Sequence, residues 1–374
     1  MAGIYLHIPF CKKACCYCNF HFSTSLKLKN QLLEALKKEI FLRKSEIKEP
    51  IETIYFGGGT PSLLAVDEIN HLLEVIYNHF EVVQNAEITI ECNPDDLSLE
   101  KIQALSITKI NRLSIGIQSF FEDDLRFMNR AHTAVESRKC LEIATHFFKN
   151  ITIDLIYGLP NMTDDKWKEN LNIAFKSNVP HLSCYALTVE DKTALKKMIS
   201  KGLVPKIDDE KSLSHFNILI EESEKNGFTQ YEISNFAKND LFSKHNTAYW
   251  QGKPYLGIGP SAHSYNQKER SWNISNNNLY IKSINQDKLP SEKEVLTEKE
   301  VYNEYVMTGL RTIWGISIDR IEKEFGTAKK ELLLAQIKPY VQQESLTINP
   351  QNCIVTTSKG RFFADGMASA FFEV

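Results

Sequence analysis

Six short runs of apolar, β-branched and aromatic residues recur through the first half of the chain, each followed by a turn and a segment with helical spacing. The runs lie at 4–10, 53–58, 87–93, 112–118, 151–158 and 182–188. Between them, as at 28–44 and 66–80, apolar residues recur three or four positions apart, which predicts amphipathic helices. Strands that alternate with helices form a parallel sheet covered by helices. Six such units predict an α/β fold, an open or partial (β/α)6 barrel, whose ligands gather at the C-terminal ends of the strands.

The pattern changes after about residue 190. Helical spacing at 191–201 and 209–226 leads to "KHNTAYWQGKPYLGIGPSAHSY", a segment dense in Gly, Pro and aromatic residues that predicts a loop. A long helix is predicted at 297–313 and short helices around 317–341, and the end of the chain predicts a small hairpin or winged appendage. We therefore predict three parts: a barrel core at 1–190, an extension at 191–290, and a smaller, mainly helical C-terminal domain at 291–374.

Composition and charge exclude several classes of protein. At 374 residues with 43% hydrophobic content, the chain is long enough to bury a sizeable core. Its 44 basic and 47 acidic residues give a formal net charge of −3, and no long basic run occurs, so no nucleic-acid partner is expected. The first ten residues lack the features of a secretory signal, and no apolar run approaches the length of a membrane span. We expect a cytoplasmic protein.

Four of the eight cysteines fall within "CKKACCYC" at 11–18. In a reducing compartment such a cluster points to metal or redox chemistry rather than to disulfides. Cys11, Cys15 and Cys18 have the spacing C-x3-C-x2-C, and three thiolates from one loop can hold three irons of a [4Fe–4S] cube while the fourth iron stays free for a ligand. Zinc is the alternative, but it needs a fourth ligand, and the remaining cysteines outside the loop are isolated. Cys16 lies off the spacing and is interpreted as a neighbouring thiol.

Further polar residues fall at the ends of the predicted strands. "GGGTP" at 57–61 follows the second run, where bare glycines let the backbone approach a ligand closely. Glu91, Gln118, Arg130 and Asp154 lie at or just beyond the ends of the third, fourth and fifth runs. A carboxylate inside an apolar run is costly unless it is paired, so a ligand or Arg130 is the expected partner. Each residue alone is compatible with a capping or ion-pairing role, but all four together favour a ligand site.

The cysteine loop, with Tyr17 before its last cysteine, resembles the signature of the radical S-adenosylmethionine (SAM) superfamily. In that superfamily the amino and carboxylate groups of SAM chelate the fourth iron, and an electron from the cluster cleaves SAM to a 5′-deoxyadenosyl radical. "YLHIPFCKKACCYCNF", "FGGGTPSLL", "IECNPDDL", "RLSIGIQSF" and "IDLIYGLP" further resemble the motifs of the oxygen-independent coproporphyrinogen III oxidase family. The resemblance spans most of the first 190 residues and implies SAM contacts at Tyr5, Tyr17, Gly58, Gly59, Thr60, Glu91, Gln118, Arg130 and Asp154.

This family has an oxidase branch and a haem-chaperone branch. Oxidases resemble one another in an N-terminal extension and in a further cysteine two residues after the third ligand, whereas here ten residues precede Cys11 and that position is Phe20. The haem-chaperone branch is similar in its short N-terminus and in an "HNxxYW" motif, which this chain has from His245 to Trp250. The imidazole can ligate haem iron and the aromatic rings of Tyr249 and Trp250 can stack on a porphyrin. A structural role for His245 is the alternative.

The glycine-rich segment that follows the motif includes His263. We interpret this segment as a tight loop that closes the pocket rather than as a source of a second haem ligand.

The resemblance therefore implies a haem chaperone that binds a [4Fe–4S] cluster, SAM and haem and transfers haem to acceptor haemoproteins. No catalytic residue is assigned. The alternatives are the coproporphyrinogen III oxidase, a radical SAM enzyme acting on another tetrapyrrole or small molecule, and a zinc-stabilised structural protein. Three questions stay open at this point: whether the acceptor is membrane-bound and reached by peripheral membrane contact, whether the protein is a homodimer, and what the C-terminal appendage does.

Overall fold

A computed structural model describes residues 2–373 and contains the six predicted parallel strands, adjacent in chain order. They are β1 (Ala2–Ile8), β2 (Ile51–Gly58), β3 (Val82–Cys92), β4 (Arg112–Gln118), β5 (Asn150–Tyr157) and β6 (His181–Ala186). The helices among them are α1 (Lys29–Leu42), α2 (Val66–His79), α3 (Leu99–Ser106), α4 (Glu122–Phe127), α5 (Ala134–Phe147) and α6 (Asp164–Lys176). This arrangement confirms the partial (β/α)6 barrel.

Each barrel strand has one apolar and one polar face, because successive side chains of a strand point in opposite directions. On β1, Ile4, Leu6 and Ile8 are fully buried in the core that the helices share, whereas Tyr5 and His7 point the other way. The same alternation recurs on the next strands. We call the polar side, which is not covered by α1–α6, the inner face.

A second set of strands widens the sheet at both edges. These are β7 (Thr229–Gln230), β8 (Asn235–Ala237), β9 (Tyr255–Ile258), β10 (His263–Tyr265), β11 (Glu269–Asn273) and β12 (Ser291–Val295), with helices α7 (Ala194–Ser200), α8 (Asp209–Lys225), α9 (Lys244–Trp250) and α10 (Asn277–Asn285). The order in the described residues is β12-β11-β10-β9-β1-β2-β3-β4-β5-β6-β8-β7. The extension therefore continues the sheet beyond β1 on one side and beyond β6 on the other.

The prediction of a loop at 244–265 is wrong in detail, because this segment contains α9, β9 and the start of the β10–β11 hairpin. These elements are short and take their stability from neighbours rather than from their own periodicity. The side chain of Ser243 caps α9 by accepting a hydrogen bond from the Asn246 backbone N–H over 3.3 Å. Strand β9 pairs in parallel with β1.

A buried carboxylate holds the extension against α1. Glu39 is fully buried and accepts hydrogen bonds from Arg43 Nη1 at 3.0 Å, Asn273 Nδ2 at 2.7 Å and the Gly259 backbone N–H at 2.8 Å. Burying a charge is costly unless it is paired and hydrogen-bonded, and here both conditions are met. Glu39 therefore fixes where β9 to β11 lie beside the barrel.

The C-terminal part has its own hydrophobic cluster, formed by residues from Tyr302 to Phe371. It contains α11 (Glu298–Leu310), β13 (Ile316–Ser317), α12 (Ile318–Phe325), α13 (Thr327–Gln342), β14 (Leu346–Ile348), β15 (Cys353–Thr356) and α14 (Ala364–Ala370). The three strands form a small sheet in the order β13-β15-β14, which includes the expected hairpin. This part is small and mainly helical, as predicted, whereas the boundaries at 190 and 290 stay predictions. Among residues 2–373, no helix is both long and apolar enough to span a membrane.

Candidate cofactor site at the strand ends

The cysteine loop follows β1 and is clamped on both sides by backbone hydrogen bonds. The Cys11 N–H donates to Ser23 O at 3.0 Å, the Cys16 N–H donates to Met128 O at 3.1 Å, and Cys16 O accepts from the Leu195 N–H at 2.8 Å. Such bonds fix the backbone of the loop before any ligand binds. The fixed loop keeps three thiols half-buried beside the C-terminal ends of the strands, those of Cys11, Cys15 and Cys18.

Two neighbouring side chains donate hydrogen bonds to these sulfurs. Thr60 Oγ1 lies 3.5 Å from Cys11 Sγ, and Arg130 Nη1 lies 3.3 Å from Cys15 Sγ. Burial raises the pKa of the Cys11 thiol to about 11, and burial also raises the pKa of Cys18. Iron binding requires thiolates, so the positive charge of the metal and of Arg130 has to offset the cost of burial.

The donor set fits an iron–sulfur cluster better than a single ion. Within residues 2–373, no three His, Cys, Asp or Glu side chains are grouped as the ligands of one metal ion would be. Tetrahedral zinc needs four ligands that converge on one point, whereas three cysteines of a [4Fe–4S] cube each bind a different iron. Three free thiols on one fixed loop, flanked by hydrogen-bond donors, are suited to the cube.

Cys16 differs from the other three cysteines because it points into the core. Its side chain is 5% exposed and its Sγ donates a hydrogen bond to Phe127 O at 3.4 Å. Burial raises its pKa to about 11. Cys16 therefore anchors the loop against the C-terminal end of α4 and does not merely lie beside the other thiols.

Arg130 connects the cysteine loop to the ends of two strands. Its Nη2 donates to Asn93 Oδ1 at 2.6 Å, just after β3, and to Gly116 O at 2.9 Å, in β4. Its Nη1 lies 3.5 Å from Tyr17 OH in addition to its contact with Cys15. A planar guanidinium can make all these bonds at once, which a lysine ammonium cannot.

Glu91 lies at the end of β3, and its hydrogen-bond partners do not include Arg130, one of the two partners that the sequence predicts. Glu91 Oε1 accepts a hydrogen bond from Tyr55 OH at 2.9 Å, and Oε2 accepts one from the Gly58 N–H at 3.1 Å. Burial, with a smaller contribution from the nearby carboxylate of Asp154, raises the pKa of Glu91 to about 7. Burial likewise raises the pKa of Asp154 to about 6. Asp154 lies inside β5 rather than at its end, so its predicted position is wrong, because β5 continues to Tyr157. Two buried carboxyl groups that raise each other's cost of ionisation are suited to a cationic ligand group.

Two glycines at the end of β2 allow two strand ends to approach each other closely. Gly58 has a φ of +111°, and a Cβ there would lie 2.7 Å from the ring of His7. At Gly59 a Cβ would lie 2.6 Å from Phe10 O. Close packing between the strand ends is thus sufficient to explain both glycines. The sequence also predicts that they let the backbone approach a ligand.

Tyr5 and Gln118 complete the predicted SAM residues. The ring of Tyr5 stacks on Tyr55 with centroids 6.1 Å apart, and its OH lies 3.2 Å from His7 Nδ1. Gln118 ends β4 with a φ of +64°, an uncommon conformation for a residue with a side chain. Of the predicted SAM residues, Tyr5 and Asp154 lie within β1 and β5, whereas the others lie at the strand ends or in and beside the cysteine loop. Their role in SAM binding stays a prediction.

His245 lies apart from this end, inside the barrel. It is 1% exposed, its Nδ1 shares a hydrogen bond of 2.7 Å with Thr53 Oγ1, and its Nε2 shares one of 2.7 Å with Tyr249 OH. Its ring stacks on that of Tyr55, with centroids 4.9 Å apart. Burial, aided by Arg112, lowers the pKa of His245 to about 3. Both ring nitrogens are occupied, so direct ligation of haem iron would require these bonds to break.

Several residues that shape the inner face were not singled out by the sequence analysis. Glu87 accepts hydrogen bonds from the backbone N–H groups of Lys244 at 3.2 Å and His245 at 3.1 Å, so it holds the first turn of α9. Asn93 binds Arg130, as described above. Glu87 and Glu91 lie on the same face of β3, because alternate residues of a strand point to the same side. This alternation in the sequence could have identified Glu87 as a residue of the inner face.

Comparisons with known proteins agree with this geometry. The radical SAM superfamily matches residues 5–174, and the HemN C-terminal domain matches residues 296–363. The heme chaperone HemW of Bacillus subtilis is 33% identical over 378 residues, covering 99% of each chain. The HemW of Lactococcus lactis is 34% identical and covers 95% of this chain and 93% of its own.

The chain belongs to the HemW family. Its membership confirms the resemblance on which the sequence analysis relied, and the radical SAM match implies a [4Fe–4S] cluster and SAM as cofactors. Another relative of this chain is the mitochondrial radical S-adenosyl methionine domain-containing protein 1 of Dictyostelium discoideum, which is 32% identical over 97% of this chain and 92% of its own. Among solved structures, coproporphyrinogen III oxidase (HemN) from Escherichia coli superimposes with a TM-score of 0.85 over 99% of this chain and 90% of its own. At 23% identity, that likeness shows the fold alone.

Proposed function

We propose that this HemW family member is a haem chaperone that binds haem and transfers it to acceptor haemoproteins. The observation that carries the proposal is the similarity to heme chaperones over 99% of both chains, which includes the extension and the C-terminal part as well as the barrel. The position of the oxidase branch's additional cysteine supports it, because Phe20 occupies that position and is 70% exposed. A phenylalanine cannot ligate iron or transfer a proton.

In this proposal Cys11, Cys15 and Cys18 hold the [4Fe–4S] cluster. Bound there, the cluster supplies an iron with a free coordination position and a source of single electrons. The side chains of Thr60 and Arg130 donate hydrogen bonds to two of the sulfurs.

The SAM site is proposed at the strand ends beside the cluster. Glu91 and Asp154 offer carboxylates to a cationic group of the ligand. Gly58, Gly59 and Gln118 shape the strand ends, while Tyr5 and Tyr17 supply aromatic rings. Whether SAM is cleaved during haem transfer is a separate question, since binding needs only these contacts.

Haem is the cargo and needs a larger surface than the cleft beside the HNxxYW helix offers. That cleft has a volume of about 200 Å³ and is lined by Tyr185, Glu232, Ser234, Asn235, Asn246, Tyr249, Trp250 and Arg311. Small-molecule pockets begin at roughly 300 Å³. The guanidinium of Arg311 already lies 5.2 Å from the centre of the Trp250 ring. A role of His245 in holding haem stays a prediction that the titration below tests.

The remaining expectations belong to the same proposal. They are the three-part division at 190 and 290, a cytoplasmic location, acceptors that include membrane-bound haemoproteins reached by peripheral contact, and a homodimer. None of them changes the chemistry of the cofactor site.

An anaerobic haem titration of the reconstituted protein, followed by visible absorption, tests the proposal. We expect saturable binding of haem with a distinct Soret band, and no conversion of coproporphyrinogen III by the same reduced protein with SAM. Conversion to protoporphyrinogen IX would identify an oxidase. Absence of saturable haem binding in a protein with an intact cluster would reject the chaperone.

A further inference from the structure

The strands beyond β1 extend the inner face of the barrel outward. Residues that are directly opposite in a strand pair share a face of the sheet. Tyr5 is opposite Gly257 and Gly3 is opposite Tyr255 in the β1–β9 pair, while Tyr255 is opposite Tyr265 in the β9–β10 pair. The side chain of Tyr255 therefore shares the face of Tyr5, and that of Tyr265 continues it.

The β10–β11 hairpin carries this face further. His263 is opposite Trp272, and Tyr265 is opposite Arg270. The residue between them, Ser264, points to the other side, where its Oγ accepts a hydrogen bond at 3.0 Å from Nη2 of Arg43, the residue directly after α1. The hairpin thus presents one side to α1 and the other to the space in front of the inner face.

An exposed histidine and a tryptophan lie together on that side. The rings of His263 and Trp272 have centroids 6.0 Å apart and are tilted by 31°. His263 is exposed, and neither of its ring nitrogens has a hydrogen-bond partner among residues 2–373. By contrast, His7 shares hydrogen bonds with Tyr5 OH at 3.2 Å and His21 O at 2.9 Å. Among the histidines of the inner face, His263 therefore has its lone pair available without any prior rearrangement.

A cation completes the surface. Arg270 Nη2 pairs with Glu304 Oε1 at 2.8 Å, and both side chains are 34% exposed. An ion pair this exposed contributes little, so the guanidinium is able to exchange its partner for another carboxylate. Arg270 also lies 5.9 Å from the centre of the Tyr265 ring. Bidentate binding of carboxylates is the chemistry for which an arginine is suited.

These groups match the chemistry of an iron porphyrin. Its iron takes an axial imidazole, and its propionates pair with a guanidinium. We propose that the inner-face side of the β10–β11 hairpin is the haem-docking surface, with His263 as the axial ligand, Trp272 packed beside that imidazole and Arg270 on a propionate. This inference rests on the proposed function and names the residues through which it acts.

The state of the imidazole is compatible with this role. Partial burial, aided by Arg270, lowers the pKa of His263, so that the neutral form, which ligates metals, is favoured at neutral pH. The predicted place of His263 in a tight loop is wrong, since His263 begins β10.

The test compares haem titrations of the wild type, His263→Ala and His71→Ala, each reconstituted with its cluster. His71 is an exposed histidine on α2, on the covered side of the barrel, and is the matched control. We expect His263→Ala to weaken haem binding by at least tenfold and to shift the Soret band, and added imidazole to restore the band. His71→Ala should match the wild type. Trp272→Ala, with the ligand intact, should weaken binding while the band position stays unchanged.

The outcomes separate this inference from the proposed function. If the wild type binds haem saturably and His263→Ala has the same affinity and band, the docking surface is wrong while the chaperone stands. If His245→Ala, folded by circular dichroism, loses the axial ligand instead, then His245 holds the iron and the inference is overturned. If the wild type itself shows no saturable binding, both fail together.

Discussion

Arg130 Nη1 lies 3.3 Å from Cys15 Sγ, while Nη2 of the same side chain binds Asn93 and Gly116 at the ends of β3 and β4. One side chain therefore ties the cysteine loop to the part of the barrel where most of the predicted SAM residues lie. The loop is 115 positions from Arg130 in the chain, so only the fold brings the two together.

Arg130→Ala should reduce both the stability of the fold and the iron content after reconstitution. It removes a buried cation and leaves the Asn93 and Gly116 acceptors unpaired, which typically costs about 3 kcal/mol. Urea unfolding and iron analysis measure the two effects. Arg126→Ala, at an exposed position on α4, is the control and should leave both unchanged. Full iron content in Arg130→Ala would show that the contact with Cys15 is dispensable.

The four cysteines of the loop should fall into two groups according to how their substitution affects cluster assembly. Serine in place of Cys11, Cys15 or Cys18 should abolish cluster assembly, because each thiolate binds its own iron. Cys16→Ala should keep full iron content and lose about 1 kcal/mol of stability with its buried hydrogen bond. Iron and sulfide analysis with electron paramagnetic resonance distinguishes the groups. Loss of the cluster in Cys16→Ala would make that thiol a ligand and contradict the assignment.

Glu91→Gln should weaken SAM binding by at least tenfold without changing the iron content. The amide is nearly the same size but cannot offer a negative charge to a cationic ligand, a difference of about 1.4 kcal/mol or more. Equilibrium dialysis with labelled SAM measures the affinity. Glu100→Gln, on the exposed side of α3, serves as the control. Equal affinities of Glu91→Gln and the wild type would place SAM elsewhere.

The buried neutral state of His245 should make the fold sensitive to acid. Its pKa is about 3 in the folded protein, against an ordinary value of 6.5, so the unfolded chain binds the extra proton as the pH falls below 6.5. Stability due to this group is therefore present above pH 6.5 and is lost as the pH falls towards 3. Between pH 7 and pH 5 the loss is about 2 kcal/mol.

Comparison with a variant separates the contribution of His245 from that of the buried carboxyl groups. Their raised pKa values make the fold more stable, not less, as the pH falls. The free energy of unfolding of the wild type, minus that of His245→Phe, should fall by that amount between pH 7 and pH 5. A difference that does not change with pH would mean that His245 is accessible to protons in the folded state.

The barrel was predictable from the sequence because its six strands carry a local signal. In β1, Ile4, Leu6 and Ile8 alternate with Tyr5 and His7, and this period of two marks one buried and one polar face. Glu91 and Asp154 stood out for the same reason. The cysteine loop could be recognised because its cysteines are close together in the chain, and their role as ligands stays a prediction.

The remaining features depend on contacts between distant segments. Glu91 is bound by Tyr55 and Gly58 rather than by Arg130, and this choice follows from the register of β2 against β3. Helix α9 and strand β9 are too short to show a period, and they depend on Glu87 and on pairing with β1. The burial of His245 against Thr53 results from the same packing, so its motif could suggest haem but could not reveal that both ring nitrogens are occupied.

Haem transfer to a haem-free acceptor haemoprotein tests the central claim most directly. Haem-loaded protein is mixed with increasing acceptor, and the transfer rate is followed by the change in the Soret band, with a haem scavenger in place of the acceptor as the control. A chaperone hands over haem through a complex, so the account predicts a rate that rises with acceptor concentration and exceeds the rate with the scavenger. A rate equal to spontaneous haem loss at every acceptor concentration would contradict it.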